Sequence, residues 1–514
     1  MTKTALSPEA FAEQRLRRRH AAERRFKLYG QLAIALAIGF LAVLLVSISS
    51  KAIGAFSRHM LVLTIDQSDL SQQADLTVSD LNLAVRETLL SEFPEITADR
   101  PARIELFGLT TRLAVLPLTE DAAQNPNLFD TPIQTRLALS DDLDLYLKND
   151  IRGHQRVDVG RAGRLALDAS GQFRLTDAGP DGFIEFQEFV EALTAPRTDI
   201  LISLSGAWFE LLEVSGAALE LKHMAGPLPG LGEQSGHQIE AIILPAASEN
   251  RKVTNRQIVF AVMLQERGMI QKRFNRSLFR NSDSTYPELA GAAAALIGSL
   301  FTMLVTALFA LPIGILAAVY LEEFAKKTTL TNIIEVNINN LAAVPSIIFG
   351  LLGAAVFLNT FGFPRSVPLV GGLVLGLLVL PTIIIASRAA LQSVPPSVRD
   401  AALGLGASHS QAVFHHVLPL AAPGILTGAI IAMARALGET APLLLIGMVA
   451  FISEVPRSPN DEATVLPVLI YKWFSGAERA WEPMTAAVII MLLTILVGMN
   501  LVAILLRRRF ERRW

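Results

Sequence analysis

Five strongly apolar stretches of this 514-residue chain run for 22 residues or more without one charged side chain: 28–50, 289–321, 336–364, 366–387 and 483–506. A helix needs about 20 mostly apolar residues to cross a hydrocarbon core of about 30 Å, so each run is long enough to span a membrane. A sixth span is expected within 423–451, which is equally apolar but carries Arg435 and Glu439. With 51% hydrophobic residues, the chain reads as a mostly α membrane protein of six transmembrane helices.

Charge orients these spans, because short loops rich in Lys and Arg stay cytoplasmic. The formal net charge is -2, but it is a cancellation. Residues 1–27 carry +5 and 507–514 carry +4, whereas 51–288 carry -10 and 289–506 carry -1. Six alternating crossings then put both basic termini inside and 51–288 outside. The first run is 23 residues long behind a basic segment, which is longer than the apolar region of a cleaved signal peptide; a retained anchor is expected. Trp473, Trp481 and Trp514 suit interfacial anchoring.

Residues 51–288 read as an α+β domain between the first and second spans. Alternation at 102–109 (ARIELFGL) and 238–244 (QIEAIIL) predicts strands, and 81–93 predicts a helix. The glycines of 226–236 miss the spacing of a dinucleotide fingerprint, so that segment is read as a loop. In 177–188 (DAGPDGFIEFQE), Asp177, Asp181 and Glu188 stand where an EF-hand calcium loop places ligands. Gly179 occupies another ligand position, and Pro-Asp-Gly makes a turn by itself, so a turn before an amphipathic helix is the preferred reading. With no cysteine in the chain, disulfides, thiolate metal sites and cysteine nucleophiles are excluded.

No Gly-Lys pair occurs, so the chain has no phosphate-cradling P-loop of its own. His415 and His416 point about 100° apart if helical, a poor metal pair. The expected inner loop 388–420 reads as helix, turn, helix around Pro395-Pro396, with Ser397 as N-cap and Asp400 three residues on. Val413, Phe414 and Val417 add an apolar stripe. A compact knob of small and apolar residues fits a socket on a partner.

Asp400-Ala401-Ala402, then Gly406, then Leu418-Pro419 resembles the EAA motif of ABC-importer permeases, with Asp for Glu at the first position and His416 where a branched apolar residue is usual. The segments 343–353 (AVPSIIFGLLG), 435–443 (RALGETAPL), 466–468 (LPV) and 505–514 narrow the likeness to the phosphate-importer permease (PstA) family, in its long variant with a large insertion after the first span. The resemblance implies a MetI-like type I ABC importer permease core in the bacterial inner membrane, with 388–420 docking into a separate ATPase. It also implies a PstC-like second permease, a PstB-like ATPase dimer that carries ATP and Mg, and a PstS-like periplasmic phosphate-binding protein. No cofactor is expected on this chain apart from the weak calcium reading, and no nucleic acid is expected as partner.

Arg435 and Glu439, four residues apart, share a helix face and could pair. Charges inside a membrane cost at least about 2.5 kcal/mol on insertion scales, and they face the bundle interior or a water-filled path. Arg435 is therefore expected to attract a phosphate anion, with Glu439 and Thr440 beside it; an internal lock between spans is the alternative. Passage of sulfate or another oxyanion keeps the same fold. A membrane-anchored sensor fits less well, because five of the spans lie in the C-terminal half. The outer domain, at -10, would repel phosphate, which favours docking or regulation there.

Overall fold

The computed structural model describes residues 8–66, 77–111, 113–125, 128–129, 131–148, 155–162, 164–167, 172–176, 198–215, 218–229, 237–245, 252–449 and 451–510. Asp177, Asp181 and Glu188 lie outside the described residues, as does Trp514.

Helix α1 (Pro8–Ile53) runs unbroken through the first apolar run, and none of its apolar window is buried. Its side chains Leu36, Phe40 and Val43 are exposed, as a lipid-facing helix requires. A single 3-10 turn (Gly54–Phe56) leads from α1 into β1 (Ser57–Ile65). There follow α2 (Val78–Glu92), α3 (Arg100–Phe107), α4 (Leu116–Gln124), β2 (Ile133–Ala138) and α5 (Asp141–Leu147). Next come β3 (Gln155–Ala162), β4 (Arg164–Leu167), β5 (Phe173–Thr176), β6 (Thr198–Leu204), β7 (Ala207–Ser215), β8 (Ala218–Ala225) and β9 (His237–Pro245). The inserted domain closes with α6 (Asn255–Glu266), β10 (Ile270–Phe274) and α7 (Ser277–Arg280).

Two antiparallel sheets organise this domain, one ordered β10-β1-β2 and one β3-β9-β6-β7-β8-β5-β4. The first brings the insertion's two ends together: Ser57 pairs with Phe274, and Asn275 donates to the Ala55 carbonyl at 2.9 Å. The domain thus enters and leaves the membrane bundle at one point. In the larger sheet, Ile200, Ile202 and Leu204 face one core while Leu201, Trp208 and Ile242 face another, the period of two of a strand buried on both faces. Against that second face lies α6, whose residues Ile258 to Leu264 are all buried. A helix apolar all round belongs in a core, and a capping box between Thr254 and Gln257 starts it.

The strand expected at 102–109 is instead helix α3. Asp99 accepts from the Ala102 backbone N–H at 3.2 Å, and Pro101 occupies the first turn. A cap followed by Pro pre-sets helical φ, and this local signal outweighs the apparent alternation. The segments 81–93 and 238–244 are the helix α2 and the strand β9 that their patterns predict.

The remaining chain is a helical bundle. It comprises α8 (Ala293–Val319), continued by a π turn at Tyr320–Phe324, then α9 (Thr329–Ala342), α10 (Ser346–Gly353) with a π segment at Ala354–Thr360, and α11 (Pro368–Gln392). It continues through α12 (Pro396–Gly404), α13 (His409–Ala412), a π turn at Val413–Val417, α14 (Leu418–Gly438), α15 (Ala441–Leu445), α16 (Leu466–Phe474) and α17 (Trp481–Phe510). Among the described residues, five helices are long and apolar enough to cross a membrane, and the bent pair Thr329–Ala342 and Ser346–Thr360 makes six if it counts as one span.

Two of the expected spans differ in shape. The run 336–364 is not one helix: α9 and α10 meet at 103°, because Pro345 has no N–H to give and holds its neighbour out of the helical region. The charged span is Leu418–Gly438 rather than 423–451, since Glu439 turns to an extended backbone (ψ 123°) and Pro442 follows. Trp473 and Trp481 are not interfacial anchors. Both are buried, with ring centroids 5.2 Å apart, in the cluster that joins α16 and α17 to Ala52 and Ala55.

Candidate functional site

The loop 388–420 forms a compact knob at the end of the bundle opposite the inserted domain. Helix α12 begins at Pro396 with Pro395 as N-cap, so Ser397 sits inside the first turn and the expected Ser397–Asp400 capping box does not form. Two consecutive prolines set the start of the helix before a serine can cap it. A capping box does form one helix later, between Ser408 and Gln411.

The end of α12 explains the glycine of the motif. Gly406 has φ +88°, its N–H donates to Leu403 O at 2.9 Å, and Ala407 N–H donates to Ala402 O at 3.1 Å. This is a Schellman closure, which needs a left-handed residue at the position after the cap. Of the motif residues, Ala402 is buried, Leu418 half-buried, and Asp400, Ala401, Gly406 and Pro419 are exposed. Ser397, Val398, Ala401, Leu405, Ala407 and His416 line one shallow hollow. Leu405 stands 91% exposed on the rim, with Leu403 and Phe414 also exposed. Such an apolar tip is costly in water unless a partner covers it.

What anchors this knob was not read from the sequence. Arg399 reaches Glu323 with Nη2 2.5 Å from Oε1 and Nε 3.0 Å from Oε2, and also donates to the carbonyls of Val394 (2.8 Å) and Leu391 (3.0 Å). Arg388 bridges Glu322 (3.4 Å) and Glu335 (2.9 Å), so α8, α9 and α11 are tied at one level. His409 contacts the Glu323 carbonyl at 2.8 Å. The available signal was Glu322-Glu323 closing a 33-residue uncharged run, with unmatched arginines in the loop.

Arg435 lies in the last turn of α14, and Glu439 caps that helix, with Arg435 Nε 3.5 Å from Glu439 Oε1. Thr440 begins the next short helix, so the backbone is unwound at Glu439-Thr440. Ala436 and Leu437 share a small internal cavity with Ser299, Thr302 and Leu375. Ser299, Thr302 and Leu375 sit six to nine residues inside the domain-side ends of α8 and α11, about 9–14 Å at helical rise. The pair therefore lies within the span, in its domain-side half, rather than at the middle. Irregular backbone at that depth is tolerated only where protein buries it or water lines it. Arg435 is 48% exposed on this single chain and Glu439 20%, so the arginine faces outward from the bundle.

Two motif segments far apart in sequence meet here. A Cβ on Gly350 would fall 2.7 Å from Pro442 Cα, so α10 packs on α15 only because position 350 lacks a side chain. Small residues permit this contact in lipid, where packing rather than hydrophobic exclusion drives association.

Long apolar helices, an exposed knob of small and apolar residues, and an Arg–Glu pair at the end of one apolar helix are the features of a membrane permease. Residues 310–511, which contain both the knob and Arg435–Thr440, match the family model "Binding-protein-dependent transport system inner membrane component", and residues 13–156 match a domain of unknown function (DUF3333). The chain is 32% identical over 223 residues to the phosphate transport system permease protein PstA 1 of Mycobacterium tuberculosis (strain CDC 1551 / Oshkosh), covering 43% of this chain and 72% of that protein. It is 33% identical over 206 residues to PstA of Haemophilus influenzae, covering 40% and 71%. Among solved structures, the inward-facing MetNI methionine ABC transporter matches at 18% identity and a TM-score of 0.35, over 42% of this chain and 95% of that one. The chain belongs to the PstA-like family of type I ABC importer permeases.

Proposed function

We propose that this chain is one of two permease subunits of an ATP-driven importer that moves inorganic phosphate across the bacterial inner membrane. The observation that carries this reading is the 32% identity over 72% of a phosphate transport permease. In this reading both termini are cytoplasmic and residues 51–288 are periplasmic. The knob around Asp400, Ala401, Ala402 and Gly406, backed by Leu418 and Pro419, inserts into a PstB-like ATPase, which supplies ATP and Mg chemistry. A PstC-like chain completes the path, and a PstS-like binding protein delivers phosphate.

The geometry supports a mechanism of alternating access. Closure of the ATPase dimer displaces the knob, the Arg399–Glu323 contact passes that displacement to α8, and the bundle rocks as packed units. Arg435, exposed on the face left for a second chain, presents a fork suited to phosphate oxygens, and Glu439 neutralises it between transport events. Labelled-phosphate uptake into proteoliposomes holding this chain with the second permease, the ATPase and the binding protein tests the proposal. ATP-dependent uptake of phosphate over sulfate is expected; uptake of sulfate alone would overturn it.

A further inference from the structure

The inserted domain carries a -10 charge over 51–288, yet it holds an open pocket that is basic. About 710 Å³ in volume, the pocket is lined by Arg86, Arg100 and Arg103 with Thr110, Thr111 and Tyr286, and among the described residues no carboxylate lines it. That volume falls in the ~300–1,000 Å³ range of small-molecule sites. Arg100 and Arg103 stand one turn apart on α3, where like charges repel unless an anion lies between them. Arg86 comes from α2 and stacks on Phe107, 5.1 Å from its ring centre.

The acids of this region are committed elsewhere. Asp99 and Glu105 both point to Arg256, at 3.3 and 3.5 Å. Among the described residues none of the three pocket arginines forms an ion pair. Two polar atoms of the lining, Arg103 Nε and Thr111 Oγ1, are buried without a hydrogen-bond partner.

The pocket also lies on the side of the domain that joins the apolar helices α1 and α8. Leu109 accepts from Ser140 N–H, Thr110 bridges to Leu139, and Leu139 N–H donates to His59, the third residue of β1 after the membrane helix. Tyr286 comes from the segment that leads into α8. Ile104, Phe107 and Leu113 add apolar lining beside the arginines.

We infer that this pocket binds a phosphate group, held by the guanidinium forks of Arg86, Arg100 and Arg103. Arginine forks match phosphate oxygens two at a time, and a site whose donors have no internal partner is preorganised for them. The phosphate belongs either to the free inorganic ion or to the headgroup of an anionic phospholipid in the adjacent leaflet. The inference stands independently of what the permease transports.

The test uses the full-length chain in maltoside detergent, stripped of lipid, with inorganic phosphate and short-chain phosphatidylglycerol as separate probes in calorimetry. Arg86→Gln and Arg103→Gln are compared with wild type, and Arg435→Gln serves as the control for the membrane site; equal melting temperatures check folding. Saturable phosphate binding that weakens tenfold or more in the two pocket variants but survives Arg435→Gln supports the free ion. The same pattern for phosphatidylglycerol alone supports the headgroup. Binding of neither probe, or binding that the pocket variants leave unchanged, overturns the inference.

Discussion

Arg399 and Glu323 meet in a two-pronged contact, Nη2 to Oε1 at 2.5 Å and Nε to Oε2 at 3.0 Å, across 76 residues of sequence. Glu323 is 4% exposed and Arg399 22%. This contact joins the base of the knob to the end of α8; under the proposed function it carries displacement of the one to the other.

Replacing either partner should uncouple the transporter. Removing one member of a fully buried pair costs about 3–5 kcal/mol, and less here because Arg399 keeps part of its surface in solvent. In the reconstituted complex, Glu323→Gln and Arg399→Gln should each lower uptake roughly tenfold while ATP hydrolysis persists. The pair of substitutions together should cost less than the sum of the two, and strict additivity in that double-mutant cycle would contradict the coupling role.

Position 406 needs the left-handed region, so Gly406→Ala should cost about 1–2 kcal/mol locally and fray the end of α12. Gly404, two residues earlier, has open space around its Cβ position, so Gly404→Ala should be silent. Uptake of both variants, with pull-down of the ATPase, separates them; equal loss in the two would remove the Schellman explanation.

At Arg435, the conservative Arg435→Lys keeps the charge and loses the fork. A charge-assisted hydrogen bond contributes about 1.5–3 kcal/mol, so uptake should fall roughly tenfold or more with assembly intact on size exclusion. Normal uptake would show that Arg435 only locks the bundle.

Asp141, at the junction of domain and membrane helices, has its carboxyl pushed up to about 8 by burial first, then by the facing Glu288 carboxyl. The folded state keeps this proton at pH values where the unfolded chain, with a carboxyl near 3.8, has lost it. The stabilisation is therefore complete below about pH 4 and is lost as pH rises through about 8. Melting temperature should fall between pH 6 and 8.5 in wild type and fall less in Asp141→Asn. Parallel curves for the two proteins would discount this site.

Much of the bundle was legible in the sequence because lipid imposes a one-dimensional rule: about 20 uncharged residues per crossing. The knob was legible for a similar reason, since Pro395-Pro396 and Gly406 punctuate backbone locally. Where a local signal pointed two ways, the reading failed. At 102–109, alternating apolar residues suggested a strand while Asp99 and Pro101 had already started a helix. Trp473 and Trp481 suggested anchors, but whether an indole faces lipid or its neighbour depends on what packs beside it.

The sequence by itself determined where the long apolar helices lie, where the knob falls, and that a large acidic insertion follows the first of those helices. Only the tertiary structure decided the 103° break at Pro345, the seating of Gly350 on Pro442, the Arg399–Glu323 link and the three-arginine pocket. Hydrophobicity and backbone preference act within a few residues, so they can be read along the chain. Close packing and charge pairing act between residues brought together from afar, and the acidic total of the insertion concealed a basic pocket because charge is felt through space rather than along sequence.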